Sequence, residues 1–212
     1  MSNGNGGFDT CQDEAVATSE LSADTRARIL EAAFQRVREG GTSAVSVKDI
    51  AAAAGVSRQL VYFHYGSRAG LLVAMARHHD EASGFVRRAV EARALPPVEA
   101  LGALLLAWCA YVPDMVAVAR TLEAALITGD EGGSAWRERM GELREALRRA
   151  LERVAGEGRL AAGWTVAEAA DWAWSRIQPS TYAHLVGERG WTQADYERRT
   201  VASLLDELVA GR

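Results

Sequence analysis

Arg58, Gln59, Leu60, Tyr62, Phe63 and His64 fall within seven consecutive positions, and their side chains share a chemistry suited to reading a nucleic acid. An arginine fork pairs with the edge of guanine, glutamine pairs with adenine, and leucine or phenylalanine can rest on a thymine methyl group. Tyr62 and His64 end in polar tips that suit phosphate oxygens. On this reading Lys48, Arg58, Gln59 and Leu60 are the candidates for base contact. Phe63 touches thymine methyl or sugar, and Ser46, Ser57, Tyr62, His64 and Arg68 hold phosphates. The competing reading is an ordinary amphipathic helix that folds its aromatic residues into a core. A leucine and aromatic cluster beside arginine calls for a partner surface more than for water.

Other chemistries find less footing. The four histidines are His64, His78, His79 and His184. The run His78-His79-Asp80-Glu81 suggests metal ligands, but neighbours on a helix point about 100° apart, so His78 and His79 do not converge on one ion. No glycine-rich phosphate loop, nucleophile elbow or zinc-ligand spacing appears. The expectation is no catalytic residue, no metal and no cofactor. Two alternatives stand beside the DNA reader. One is an all-helical enzyme, because fold does not fix function. The other is a helical interaction module without DNA binding, against which the intact set of Lys48, Arg58, Gln59, Tyr62, His64 and Arg68 argues.

Two short helices and a tight turn must position this set. Ser46 caps a helix running to Ala54, with Asp49 at the spacing of a capping box. Ile50 and Ala54 lie four residues apart and face the core, and Ala51 is small enough for a second helix to cross closely. Gly55 stops the first helix, since glycine takes a left-handed conformation without strain. Val56 plugs the core and Ser57 caps the second helix, which runs to about Tyr65 with Val61 inward. This is the shape of a helix-turn-helix.

From about Thr25 to Leu72 the chain resembles the DNA-binding domain of the TetR/AcrR family of bacterial transcription regulators. The matching stretches are Arg28-Ile-Leu-Glu-Ala-Ala-Phe34, Asp49-Ile-Ala, Ala54-Gly-Val-Ser57, Val61-Tyr-Phe-His-Tyr65 and Ser67-Arg-Ala-Gly-Leu71. They cover roughly a quarter of the chain; the remainder resembles the family only in length and helical pattern. Tyr65 stands where phenylalanine is usual and Arg68 where lysine is usual, which keeps a phosphate-binding charge. Ala69-Gly70 replaces the usual acidic pair, so the opening turn of that helix is less well stabilised, and the glycine could loosen the joint between reader and body.

Length and composition agree with an all-α protein of one reader domain and one helical body. Three segments are expected: a disordered tail over 1–22, a helix-turn-helix domain over 23–70, and a ligand-binding and dimerisation domain over 71–212. The net charge of −4 divides unevenly. Residues 1–22 hold four acids and no bases, residues 23–70 hold seven bases against four acids, and the body is mildly acidic, so positive charge sits on the presumed DNA face. No apolar run approaches the roughly 20 residues that span a bilayer, and no signal-peptide pattern opens the chain. Neither finding calls for a membrane partner. Cys11 and Cys109 do not form a disulfide framework, which fits a reducing cytoplasm.

About nine helices are expected. The first runs from Ala23 to Glu39 and the next two form the reader. The fourth runs from Ser67 to about Arg93. Pro96-Pro97 starts the fifth, to Val112; Pro113 starts the sixth, to Thr128; and Gly129 to Gly133 forms a loop. The seventh runs from Ser134 to Gly156. Capping boxes at Thr165 and Thr192 open the eighth and ninth, and Pro179 kinks or splits the eighth near Gln178.

The resemblance implies that the body pairs two subunits and holds a small effector. The last two helices are the candidates for a homodimer, through Ala169, Ala170, Trp172, Ala173, Ile177 and Tyr182 on one, and Val201, Leu204, Leu205, Leu208 and Val209 on the other. The alternative is that these stripes pack inside one subunit. For the effector, Trp108, Tyr111, Met115, Glu123, Met140, Trp174, Arg176 and Gln178 supply apolar walls with a few polar groups, as small-molecule sites do. Such a pocket suits a lipophilic or aromatic ligand, whereas the plain alternative makes these residues ordinary core. A ligand that prefers another spacing of the two readers would lower affinity for a palindromic operator, with the fourth helix as lever.

Overall fold

Alanine, leucine, arginine and glutamate favour helix, and the chain is helical nearly throughout. The computed structural model describes residues 9–40, 46–128 and 131–211. The ten α-helices among them are α1 (Asp9–Gly40), α2 (Val47–Ala54), α3 (Arg58–Tyr65), α4 (Arg68–Ala82), α5 (Phe85–Ala92), α6 (Pro97–Thr128), α7 (Glu131–Gly156), α8 (Val166–Arg176), α9 (Pro179–Tyr182) and α10 (Gln193–Leu208). A π-helical turn over Ala183–Glu188 continues α9. An isolated antiparallel bridge pairs Leu160 with Val209.

The amino-terminal bundle closes around Ile29, Ala33, Phe34, Val37, Ile50 and Val61, with Leu71, Leu72 and Met75 of α4 completing it. Because α4 belongs to this bundle and also packs on α6 and α7, reader and body share one continuous core. The body closes around Leu101, Leu105, Trp108 and Val112 of α6, Leu147 and Leu151 of α7, and Leu208 of α10.

Several boundaries differ from the sequence expectation, each for a physical reason. Helix α1 opens at Asp9 rather than Ala23. No glycine or proline falls between Asp9 and Glu39, so nothing in the segment interrupts a helix. Of the tail expected to be disordered, residues 9–22 are therefore helical, while residues 1–8 lie outside the described residues. The expected fourth helix is two helices. Gly84 takes φ of 71°, and the hydroxyl of Ser83 accepts from the N–H of Phe85 at 3.2 Å, restarting the chain as α5.

The expected fifth and sixth helices are one helix, α6, with Pro113 inside it. Proline lacks the N–H that would reach the carbonyl four residues back, here that of Cys109. Gln193 supplies the missing donor, its Nε2 lying 3.0 Å from the Cys109 oxygen. The uninterrupted helix also corrects the expectation about apolar runs. Pro97–Glu123 is long and apolar enough to cross a membrane by length and composition. Here it is the central core helix, apolar around much of its girth because neighbours cover it on several sides. Pro179 does split the carboxy-terminal region, and α9 starts on it.

The stripes expected to pair subunits are largely consumed within the chain. Ala169, Ala170, Ala173 and Ile177 of the eighth expected helix are buried, as are Leu204, Leu205, Leu208 and Val209 near the carboxy end. Trp172, Tyr182 and Val201 remain partly covered, so any pairing surface on α8 and α10 uses their outer sides.

Candidate nucleic-acid interface

Val61 is the one buried residue of α3, at 1% exposure. The rest of the helix faces outward: Phe63 is 80% exposed and Tyr62 41%, Arg58 and Gln59 are exposed, and Leu60 and His64 are half-buried. An eight-residue helix can present so much because its neighbours grip one side chain while its ends are capped locally. The Ser57 hydroxyl accepts from the Leu60 N–H at 3.1 Å, and the Gly66 N–H closes the far end on Tyr62. Tyr65 then ties α3 to α1, its hydroxyl donating to the Arg26 carbonyl oxygen at 3.2 Å.

Helix α2 holds this reader from behind. Ser46 and Asp49 form a reciprocal capping box: the Asp49 N–H donates to the Ser46 hydroxyl at 3.2 Å, and the Asp49 carboxylate accepts from the Ser46 N–H at 3.3 Å and from its hydroxyl at 2.6 Å. These bonds hold the Asp49 carboxyl below its ordinary pKa. They also engage the Ser46 hydroxyl hydrogen, which leaves Ser46 a helix cap first. Ser57 acts as acceptor in its cap, so its hydroxyl hydrogen is not used by the cap. Lys48 is exposed on α2, and Gly55 takes the left-handed turn with φ of 67°.

Arg26 joins this face, a residue the sequence reading counted only as charge. It is exposed on α1, and its Nε donates to His64 Nδ1 at 3.4 Å. With Nδ1 accepting, the proton of a neutral His64 resides on Nε2. Arg68 opens α4, where Ser67 caps the helix by accepting from the Gly70 N–H at 3.0 Å.

Behind the reader, α4 is locked into the body by a buried polar triad. Asp80 is 7% exposed and accepts from the Tyr111 hydroxyl of α6 and from both terminal nitrogens of Arg139 of α7. Arg139 Nη2 also lies 3.0 Å from the Tyr111 hydroxyl. Burial pulls the Arg139 guanidinium down to about 10, which leaves it charged at neutral pH, and pushes the Tyr111 hydroxyl up. A buried charge is tolerated where it is paired and hydrogen-bonded, and Asp80 meets that condition through both partners, while Arg139 pairs through its terminal nitrogens and keeps a buried Nε without a partner among the described residues.

The residues expected to wall an effector pocket are not gathered around one described cavity. Trp108, Tyr111, Met115 and Met140 are buried core. The Trp108 indole donates to the Ile177 carbonyl, the Trp174 indole to the Met140 carbonyl, and the Gln178 amide to the Trp174 carbonyl, each at 2.8 Å. Glu123 is half-buried, and desolvation raises its pKa. Arg176 is exposed over the Trp172 ring at 5.2 Å and borders a surface recess beside Trp191 and Arg199. Aromatic residues with polar tips satisfied by backbone carbonyls are how a helical body fills its centre. The described cavities lie elsewhere. An open groove of about 1030 Å³ runs between α1, α4 and α6 past Phe34, His79 and Leu106. A smaller void of about 260 Å³ lies between α5, α6 and α7.

Residues 29–75 match the family described as bacterial regulatory proteins, tetR family. A probable HTH-type transcriptional regulator, ArpR of Pseudomonas putida, is 34% identical over 90 residues, 42% of this chain and 43% of its own length. The chain thus spans less than half of that relative. The HTH-type transcriptional repressor AcnR of Corynebacterium efficiens is 29% identical over 146 residues, 69% of this chain and 74% of that protein. Among solved structures, a putative TetR-family regulator from Rhodococcus sp. superposes with a TM-score of 0.71 at 20% identity, covering 86% of this chain and 97% of that one.

Proposed function

We propose that this chain, whose residues 29–75 belong to the TetR family of bacterial regulators, is a ligand-responsive repressor that binds a palindromic operator as a homodimer. The observation that carries the reading is α3. It presents Arg58, Gln59, Tyr62 and Phe63 to solvent and fully buries only Val61, which is what entry into a major groove requires.

Within that reading Lys48, Arg58, Gln59 and Leu60 meet base edges and Phe63 meets a thymine methyl or sugar. Ser57, Tyr62, His64 and Arg68 meet phosphates, joined by Arg26, and Ser46 chiefly positions the helix that carries Lys48. The reader domain of residues 23–70 is followed by a body that pairs with a second copy through the outer sides of α8, α9 and α10. Two readers then span half-sites about 34–36 Å apart. The relative AcnR is described as a repressor, which favours repression. A cytoplasmic location follows from the DNA target.

Release follows from linkage. An effector that binds the body more tightly in a different reader spacing lowers operator affinity by its differential affinity for the two states. Helix α4 transmits the change, because Asp80 bonds it to both α6 and α7. The test is selection of bound fragments from random DNA, with the mass of the free chain measured by light scattering. A palindromic consensus and a mass of two chains are expected. A single-chain mass at micromolar concentration, or no enriched sequence, contradicts the proposal.

A further inference from the structure

At the junction of α5, α6 and α7 the contact positions are small. Ala92, Ala100, Ala146 and Ala150 meet there with Leu104, and the void they leave measures about 260 Å³. Helix backbones approach only as far as their larger neighbouring side chains allow, so alanine at a three-helix seam leaves space unfilled. An apolar cavity of about 150 Å³ holds benzene, so this one suits a chain of on the order of ten non-hydrogen atoms.

The mouth has the opposite character. Arg93, Arg149 and Arg153 border it. Arg153 donates to the carbonyl oxygens of Arg93 at 3.0 Å and Leu95 at 2.7 Å, which fixes its guanidinium without neutralising it and leaves further N–H donors. Among the described residues no carboxylate pairs with Arg93 or Arg153. Arg149 lies 3.2 Å from Glu145, but that carboxylate also serves Arg148 at 2.7 Å. The rim therefore keeps an excess of positive charge above an apolar well.

We propose that this void binds a medium-chain carboxylate, the alkyl chain among the alanines and the carboxylate on Arg93 and Arg153. Arginine suits that head group because its planar fork bonds a carboxylate bidentately. The inference rests on the reading of the chain as an effector-controlled regulator and names the effector's class. It replaces the aromatic pocket expected around Trp108 and Trp174. The site is placed to act on the reader. Helix α5 forms one wall and joins α4 through Ser83 and Gly84, so a chain that wedges α5 away from α6 displaces α4.

The probe is octanoate, titrated calorimetrically into the full chain beside octyltrimethylammonium, which has the same tail and the opposite charge. Octanoate is expected to bind once per chain and at least tenfold more tightly than the cation. Arg93→Gln removes a rim charge from an exposed position and should weaken octanoate at least tenfold with the melting temperature unchanged. Ala146→Leu fills the well and should abolish binding while the chain stays folded by circular dichroism. Equal affinity for the two tails, no binding at millimolar octanoate, or indifference to both substitutions overturns the site. Sequence-selective DNA binding measured in parallel separates this inference from the reading beneath it. If DNA binding persists with no octanoate bound, the ligand site falls and the regulator stands. If octanoate binds but no DNA is selected, the site is supported and the regulator falls.

Discussion

Gly70, in the first turn of α4, lies so close to Tyr65, the last residue of α3, that a Cβ at position 70 would overlap the Tyr65 carbonyl oxygen. The sequence reads this glycine as a loosening of the joint between reader and body. The structure makes it the condition for a tight one. With no side chain at 70, the turn through Gly66 and Ser67 can fold α4 directly against the end of α3.

Gly70→Ala should therefore destabilise the chain, although alanine is the better helix former. Overpacking of this kind costs about 1–3 kcal/mol. A lower urea midpoint, together with weaker DNA binding, is the expected outcome. A gain in stability of the size that helix propensity alone gives would contradict the close approach.

Asp80→Ala should cost about 3–5 kcal/mol, because it leaves the Arg139 guanidinium buried without its counter-charge. Replacing Asp80 and Arg139 together by apolar residues should recover much of the loss. Equilibrium denaturation of both variants checks the pair. A double variant as unstable as Asp80→Ala would show that packing, not the stranded charge, sets the cost.

Gln193→Ala should cost about 1–3 kcal/mol, the usual penalty for leaving a buried acceptor unmade. The acceptor is the Cys109 carbonyl, which Pro113 deprives of its helical partner. The same substitution combined with Pro113→Ala should be milder, since the helix then supplies its own N–H. Additive losses in the double variant, read from urea midpoints, would count against this coupling.

His79 gives the stability a pH dependence. Its ring stacks on Phe34 at 3.8 Å and lies 5.7 Å from Tyr111. Burial depresses its pKa, Asp114 and Glu31 oppose the shift, and Arg139 adds to it. The unfolded chain takes up the proton near pH 6.5 before the folded one does, so stability falls as pH drops below about 6.5 and stops falling once the folded form also protonates. His79→Gln should flatten this part of the profile. Urea midpoints between pH 7.5 and 5 that run parallel for the two proteins would contradict it.

The parts of the fold legible in the sequence are those with local causes. Ser46 with Asp49, Gly55, and Ser57 mark the reader's caps and turn within a dozen residues, so the outward face of α3 follows from the chain itself. The break at Gly84 and the continuity of α6 through Pro113 were not legible. A glycine and a serine are compatible with helix or break alike, and the bond that covers the gap left by Pro113 comes from Gln193, 84 residues from the Cys109 carbonyl it reaches. Likewise the tips of Trp108, Trp174 and Gln178 bond to distant or local carbonyls, partners that the sequence pattern does not reveal. A void is a deficit of side-chain volume, and alanines scattered over three helices carry no motif. Arg26 comes beside His64 only through the packing of the folded bundle, 38 residues apart in sequence, so no local motif marks it.

The central claim is that α3 enters a groove and reads bases, and the affinity of Arg58→Ala for selected and for random DNA at one salt concentration tests it most directly. The account predicts a loss of about 1–3 kcal/mol on the selected site, with affinity for random DNA little changed. Equal losses on both, or a wild-type chain that holds selected and random DNA alike, would contradict it.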